Sequence, residues 1–94
     1  MPVTESNQVW VIDDDRSIRW VLERALQRAG MEVTSFSSAE GILERLEQER
    51  PQVLISDIRM PGMDGLELLS RVKDQFPNLP VIIMTAHSDL DSAV

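Results

Sequence analysis

Three short, unbroken apolar runs constrain this chain more than any other feature: Val9-Trp10-Val11-Ile12, Val53-Leu54-Ile55 and Val81-Ile82-Ile83-Met84. Such runs, without polar alternation, suit strands covered on both faces, the condition of a parallel sheet. Between them lie stripes at helical spacing. Ile18, Val21, Leu22, Ala25, Leu26 and Ala29 form the first, which Gly30 closes. Ala39, Ile42, Leu43 and Leu46 form the second, with Ser37 and Glu40 spaced as a capping box and Arg50-Pro51 as the stop. Leu66, Leu69, Val72 and Phe76 form the third, opened by Asp64 and Glu67 and ended by Pro77 and Pro80. Glu32 to Phe36 alternates polar and apolar residues, as an edge strand does. Ser88 and Asp91 signal a fourth helix beginning near Asp89. Strands alternating with helices imply right-handed crossovers and an α/β, doubly wound parallel sheet. At 94 residues, the chain reads as one domain over 1–94.

In a parallel sheet all strands point one way, so the ends of the three apolar strands share an edge. That edge carries Asp13, Asp14, Asp15, Asp57 and Thr85. A lone strand-end carboxylate could simply cap a loop. Two acidic groups on one edge favour a cation, because clustered carboxylates repel one another and raise each other's pKa. Oxygen-only donors select a hard ion, with Mg²⁺ the best candidate. Open α/β sheets place their chemistry at this edge. A carboxylate beside the ion can act as a nucleophile toward phosphorus, and the Thr85 hydroxyl can hydrogen-bond the transferred group. Pro61-Gly62 then turns the chain, with positive φ open to the glycine. His87, the sole histidine, reads as a loop residue, Trp20 as a surface tryptophan, and Met60 and Met63 as packing for the loop after Asp57.

Composition narrows the partners. The net charge of -7 argues against direct nucleic-acid binding, which needs Lys and Arg on phosphates. No apolar run is long enough to span a membrane, and residues 1–7 lack the apolar core of a signal peptide. With no cysteine, disulfides and thiolate metal sites are excluded, and a cytoplasmic location is expected.

Val11-Ile12-Asp13-Asp14-Asp15, the segment from Asp57 to Gly65 with its Met60-Pro61-Gly62-Met63-Asp64, and Met84-Thr85-Ala86 together resemble the CheY-like receiver domains of two-component response regulators. The match runs from about Gln8 to the last residue, and finer features, Ser17 to Leu26 and Val81 to Asp91, resemble the nitrogen-regulation branch. The resemblance implies a flavodoxin-like sheet in the order 2-1-3-4, with a fifth strand and helix missing. It implies that Asp57 takes a phosphoryl group from a histidine kinase, and that Mg²⁺ is held by Asp14 and Asp57, by Asp13 through water and by the Arg59 backbone carbonyl. Thr85 would be the switch hydroxyl, and an output domain regulating transcription the recipient of the signal. The family's strand-five lysine has no counterpart, since the only lysine, Lys73, falls within the third helix. The open edge of strand four is therefore expected to self-associate, through that strand or the fourth helix. An aspartate-nucleophile, Mg²⁺-dependent phosphatase is the competing reading. Arg59 counts against it, standing where such enzymes carry a second aspartate. A nucleotide-binding module is disfavoured because aspartates replace a glycine-rich loop after strand one.

Overall fold

The computed structural model describes residues 7–84. Four strands, β1 (Gln8–Ile12), β2 (Glu32–Phe36), β3 (Val53–Asp57) and β4 (Val81–Met84), pair in parallel in the order β2-β1-β3-β4. Helices α1 (Arg16–Arg28), α2 (Ile42–Gln48) and α3 (Gly65–Gln75) form the crossovers. The doubly wound α/β fold expected from the apolar runs is therefore present. Thr85, His87, the signal near Asp89 and residues 1–6 lie outside the described residues.

Strand register divides the core. Trp10 pairs with Leu54 and Ile12 with Ser56, so these four share one face. On it Trp10, Ile12 and Leu54 pack with Ile42 and Leu46 of α2, with Leu68 and Val72 of α3, and with Phe76 and Leu79 beyond it. The opposite face carries Val9, Val11, Val53 and Ile55 and, among the described helices, meets α1. Ile18, Leu22 and Leu26 of α1 are half-buried, whereas Val21, Ala25 and Ala29 of the expected stripe are exposed. Ile82 of β4, paired with Ile55, is 52% exposed on that same face. A hydrogen bond from Ser35 Oγ to Glu23 Oε2 pins α1 to β2. At its C-terminus α1 closes as a Schellman motif, with Met31 N–H on Leu26 C=O and Gly30 N–H on Gln27 C=O. Trp20 lies on the surface as expected, under the Arg24 guanidinium at 5.0 Å.

Two helix readings need correction. The Ser37–Glu40 capping box does not form. Ser38 Oγ accepts from Glu40 N–H, and α2 starts at Ile42 behind Gly41, whose φ of 81° breaks the helical path. Ala39 is buried before the helix begins, so its place in the apolar stripe reflected packing rather than helix. In α3 the buried positions are Gly65, Leu68 and Val72, while Leu66 is 53% exposed. The run Leu66, Leu68, Leu69 offers two possible stripes. The closeness of Gly65 to the end of β3, described below, selects the one through Leu68. Replacing Leu68 with Ala is therefore expected to cost about 2–5 kcal/mol, and replacing Leu66 with Ala no more than about 0.5 kcal/mol. Urea unfolding of the two variants checks this, and equal losses would contradict the register.

Candidate functional site

The acidic edge follows from the register. Ile12 pairs with Ser56, so Asp13 and Asp57 stand side by side one step further along, on one face by alternation. Carboxylate oxygens of Asp13, Asp14 and Asp57 all lie within 4.8 Å of one another. Asp14 is exposed and Asp57 half-buried, whereas Asp13 is 0% exposed. Asp13 Oδ1 accepts from Asp15 N–H at 2.9 Å, and Asp13 Oδ2 is buried without a hydrogen-bond partner. Burial above all pushes the Asp13 carboxyl up from the ordinary range, against the lowering effect of the Asp15 N–H, and the charges of Asp57, Asp14 and Asp15 push it further. Three clustered carboxylates, one of them with a buried oxygen that has no hydrogen-bond partner, are a donor set that fits a small hard cation.

Asp15 does not join this group. Its Oδ1 accepts from Ser17 N–H at 2.8 Å and from Ile18 N–H at 3.3 Å, capping α1. An N-cap and a ligand look alike in sequence, and the start of α1 one residue later is what separates them. Arg59 lies two residues past Asp57, with its side chain exposed. Met60 is buried and Met63 packs on the same core, as expected for the loop. Lys73 sits exposed in the last turn of α3, away from this edge.

The loop after β3 is held from both ends. Asp64 Oδ1 accepts from Glu67 N–H at 2.9 Å, which is the expected cap, although Glu67 turns its own carboxylate to Arg71. Gly65 N–H donates to Ile58 C=O at 3.0 Å. A Cβ on Gly65 would lie 2.1 Å from the Asp57 carbonyl oxygen and 2.9 Å from Ile58 Cα. Glycine is needed here for space: it lets the first turn of α3 press against the peptide that carries Asp57. Within that strand end, the Ser56 hydroxyl donates to the Asp57 carbonyl at 3.0 Å. The sequence contained Gly65 but gave no sign of this contact, which depends on tertiary packing.

A parallel α/β sheet in this strand order with three carboxylates at its carboxyl edge is the architecture of a signalling receiver. The family model "Response regulator receiver domain" matches residues 9–94, and the chain belongs to that family. Among curated proteins, the DNA-binding transcriptional regulator NtrC of Escherichia coli K12 is 65% identical over 86 residues, covering 92% of this chain and 18% of that protein. NtrC of Proteus hauseri is 62% identical over 90 residues, covering 96% of this chain and 19% of its own length. This chain thus spans about a fifth of the curated relatives it matches. A beryllofluoride-activated NtrC receiver domain superposes with a TM-score of 0.74 at 60% identity, covering 96% of this chain and 73% of that one. The response regulator TrrA of Thermotoga maritima, in complex with Mg²⁺-BeF, gives 0.80 at 30% identity, covering 93% and 76%. No helix among the described residues is long and apolar enough to cross a membrane.

Because the Asp13 carboxyl is raised, its ionisation opposes folding. Its contribution is most favourable below the ordinary carboxylate pKa and is lost as pH rises through the raised value. Asp13→Asn should therefore raise the metal-free melting temperature at pH 7. The gain should shrink toward pH 3. Thermal melts at both pH values in chelator check this, and a lower melting temperature for the variant at pH 7 would contradict it.

Proposed function

We propose that this chain is the phosphoacceptor domain of a response regulator and that Asp57 receives the phosphoryl group. One observation carries the proposal: Asp13, Asp14 and Asp57 bring their carboxylate oxygens within 4.8 Å of one another, with one Asp13 oxygen buried and unpartnered. Asp57 is half-buried at the end of a strand, reachable by a donor yet anchored at its backbone by Ser56 and by the contact with Gly65. In the transfer, a carboxylate oxygen of Asp57 forms a bond to phosphorus. The bond from phosphorus to the nitrogen of a kinase phosphohistidine breaks, and the imidazole leaves with that electron pair and gains a proton. Asp14, Asp57, Asp13 through water and the Arg59 carbonyl would hold Mg²⁺, which offsets the negative charge of the phosphoryl oxygens. The Mg²⁺-BeF complex of TrrA supports this choice of ion. Thr85, one residue beyond β4, would contribute the switch hydroxyl.

The partners follow the same reading. A histidine kinase supplies the phosphoryl group, and an output domain elsewhere in a longer protein answers it, as the length of the NtrC relatives supports. The likeness to nitrogen regulatory protein C suggests nitrogen control as the setting. With a net charge of -7, this domain would leave DNA contact to that output domain. The exposed Ile82 supports self-association through β4, and a cytoplasmic setting suits the whole scheme.

Incubation with acetyl phosphate and Mg²⁺, followed by intact-mass measurement, tests the central step. The expected product carries one phosphoryl group, is sensitive to hydroxylamine, and does not form in Asp57→Asn. Undiminished labelling of that variant would refute Asp57 as the acceptor. Steady release of phosphate from a phosphomonoester by the unsubstituted chain would point to a phosphatase instead.

A further inference from the structure

The carboxylate cluster depends on a three-residue turn, Asp13 to Asp15, between β1 and α1. The β1–β2 ladder ends there with Asp13 N–H on Phe36 C=O at 3.0 Å. The next backbone acceptor, the Asp13 carbonyl, receives Arg19 Nη1 at 2.7 Å. Arg19 lies in the first turn of α1, and its own N–H bonds Asp15 C=O at 3.1 Å. It therefore ties both ends of the turn: its backbone holds the end next to the helix, and its side chain reaches back to the strand. Between those ties, Asp13 Oδ1 is occupied by Asp15 N–H, and Asp13 Oδ2 is buried without a hydrogen-bond partner.

We propose that Arg19 is a positioning residue for the cation site: its bond to the Asp13 carbonyl fixes the turn that presents Asp13 and Asp14 to Asp57. The proposal rests on the metal-site reading above and goes beyond it by naming a residue that touches neither cation nor phosphoryl group. Electrostatics alone predicts the opposite effect. Arg19 is a positive charge beside a cation site, so removing it should strengthen Mg²⁺ binding if charge were its only influence. A positioning role predicts weaker binding, since loss of the groups that orient ligands typically costs about 10–100-fold in metal affinity. The sign of the change therefore separates the two.

The test compares Arg19→Met, Arg19→Lys and Arg24→Met in Mg²⁺ titrations followed by backbone amide shifts, with amide exchange measured in metal-free protein. Arg24 lies on the same helix but stacks on Trp20, so its variant removes an equal charge without touching the turn. Arg19→Met is expected to weaken Mg²⁺ binding about tenfold and to reduce protection of the Asp15 amide. Arg19→Lys should restore part of both, and Arg24→Met should leave both near the unsubstituted values. Unchanged or tighter binding in Arg19→Met would overturn the proposal. Absence of saturable Mg²⁺ binding by the unsubstituted chain would instead overturn the metal reading. In that case Asp15 protection alone would decide whether Arg19 holds the turn.

Discussion

Repulsion among carboxylates at the carboxyl edge of the sheet is the constraint on which the rest of this structure turns. Parallel pairing of β1 with β3 leaves Asp13 and Asp57 no freedom to separate, because the register that buries Trp10, Ile12 and Leu54 also sets the two acids side by side. A one-residue slip would relieve the repulsion and expose the core. Burial of Asp13 sharpens the conflict by removing the water that would otherwise screen its charge. The apolar core thus holds together a set of groups that would not assemble by themselves. A bound cation would convert that repulsion into attraction.

The surroundings of the cluster limit its relaxation. Asp15 caps α1 and Asp64 caps α3, so both loops that leave the acidic edge run directly into helix starts. Those N-termini also bring partial positive charge toward the region. Gly65 presses α3 onto the Asp57 peptide, and Arg19 ties the turn after β1. The Gly65 and Arg19 contacts act on the backbone of the acidic edge rather than on its carboxylates. The cluster acids are thereby held in place, with Asp13 Oδ1 taken by Asp15 N–H and Asp13 Oδ2 left without a partner.

Much of this was legible in the sequence because it depends on local patterns. Unbroken apolar runs specified β1 and β3, alternation marked β2 as an edge, and the Asp64 cap and the C-terminal glycine of α1 were read at their positions. The acidic edge itself followed from strand direction. Misreadings occurred where two local patterns compete and tertiary packing decides. Leu66 and Leu68 fit a stripe equally well until Gly65 meets β3. Ser37 and Glu40 have capping-box spacing, yet Gly41 delays the helix. Asp15 shares the acidic edge in sequence, yet its carboxylate caps α1, a role that strand direction alone does not reveal. Arg19 carries no sequence signal at all, since a side chain reaching a carbonyl six residues back requires the turn to exist first.

The central claim is that the edge carboxylates form one cation site and not a diffuse acidic surface. Paramagnetic broadening by Mn²⁺, used in place of Mg²⁺, tests it most directly. At substoichiometric Mn²⁺, broadening of backbone amides should centre on residues 12–15 and 56–60, extend only to their neighbours at the carboxyl edge such as Met84 and Gly65, and be reversed by excess Mg²⁺. Comparable broadening around exposed acids far from this edge, such as Glu44, Glu47 and Asp74, unaffected by Mg²⁺, would contradict it.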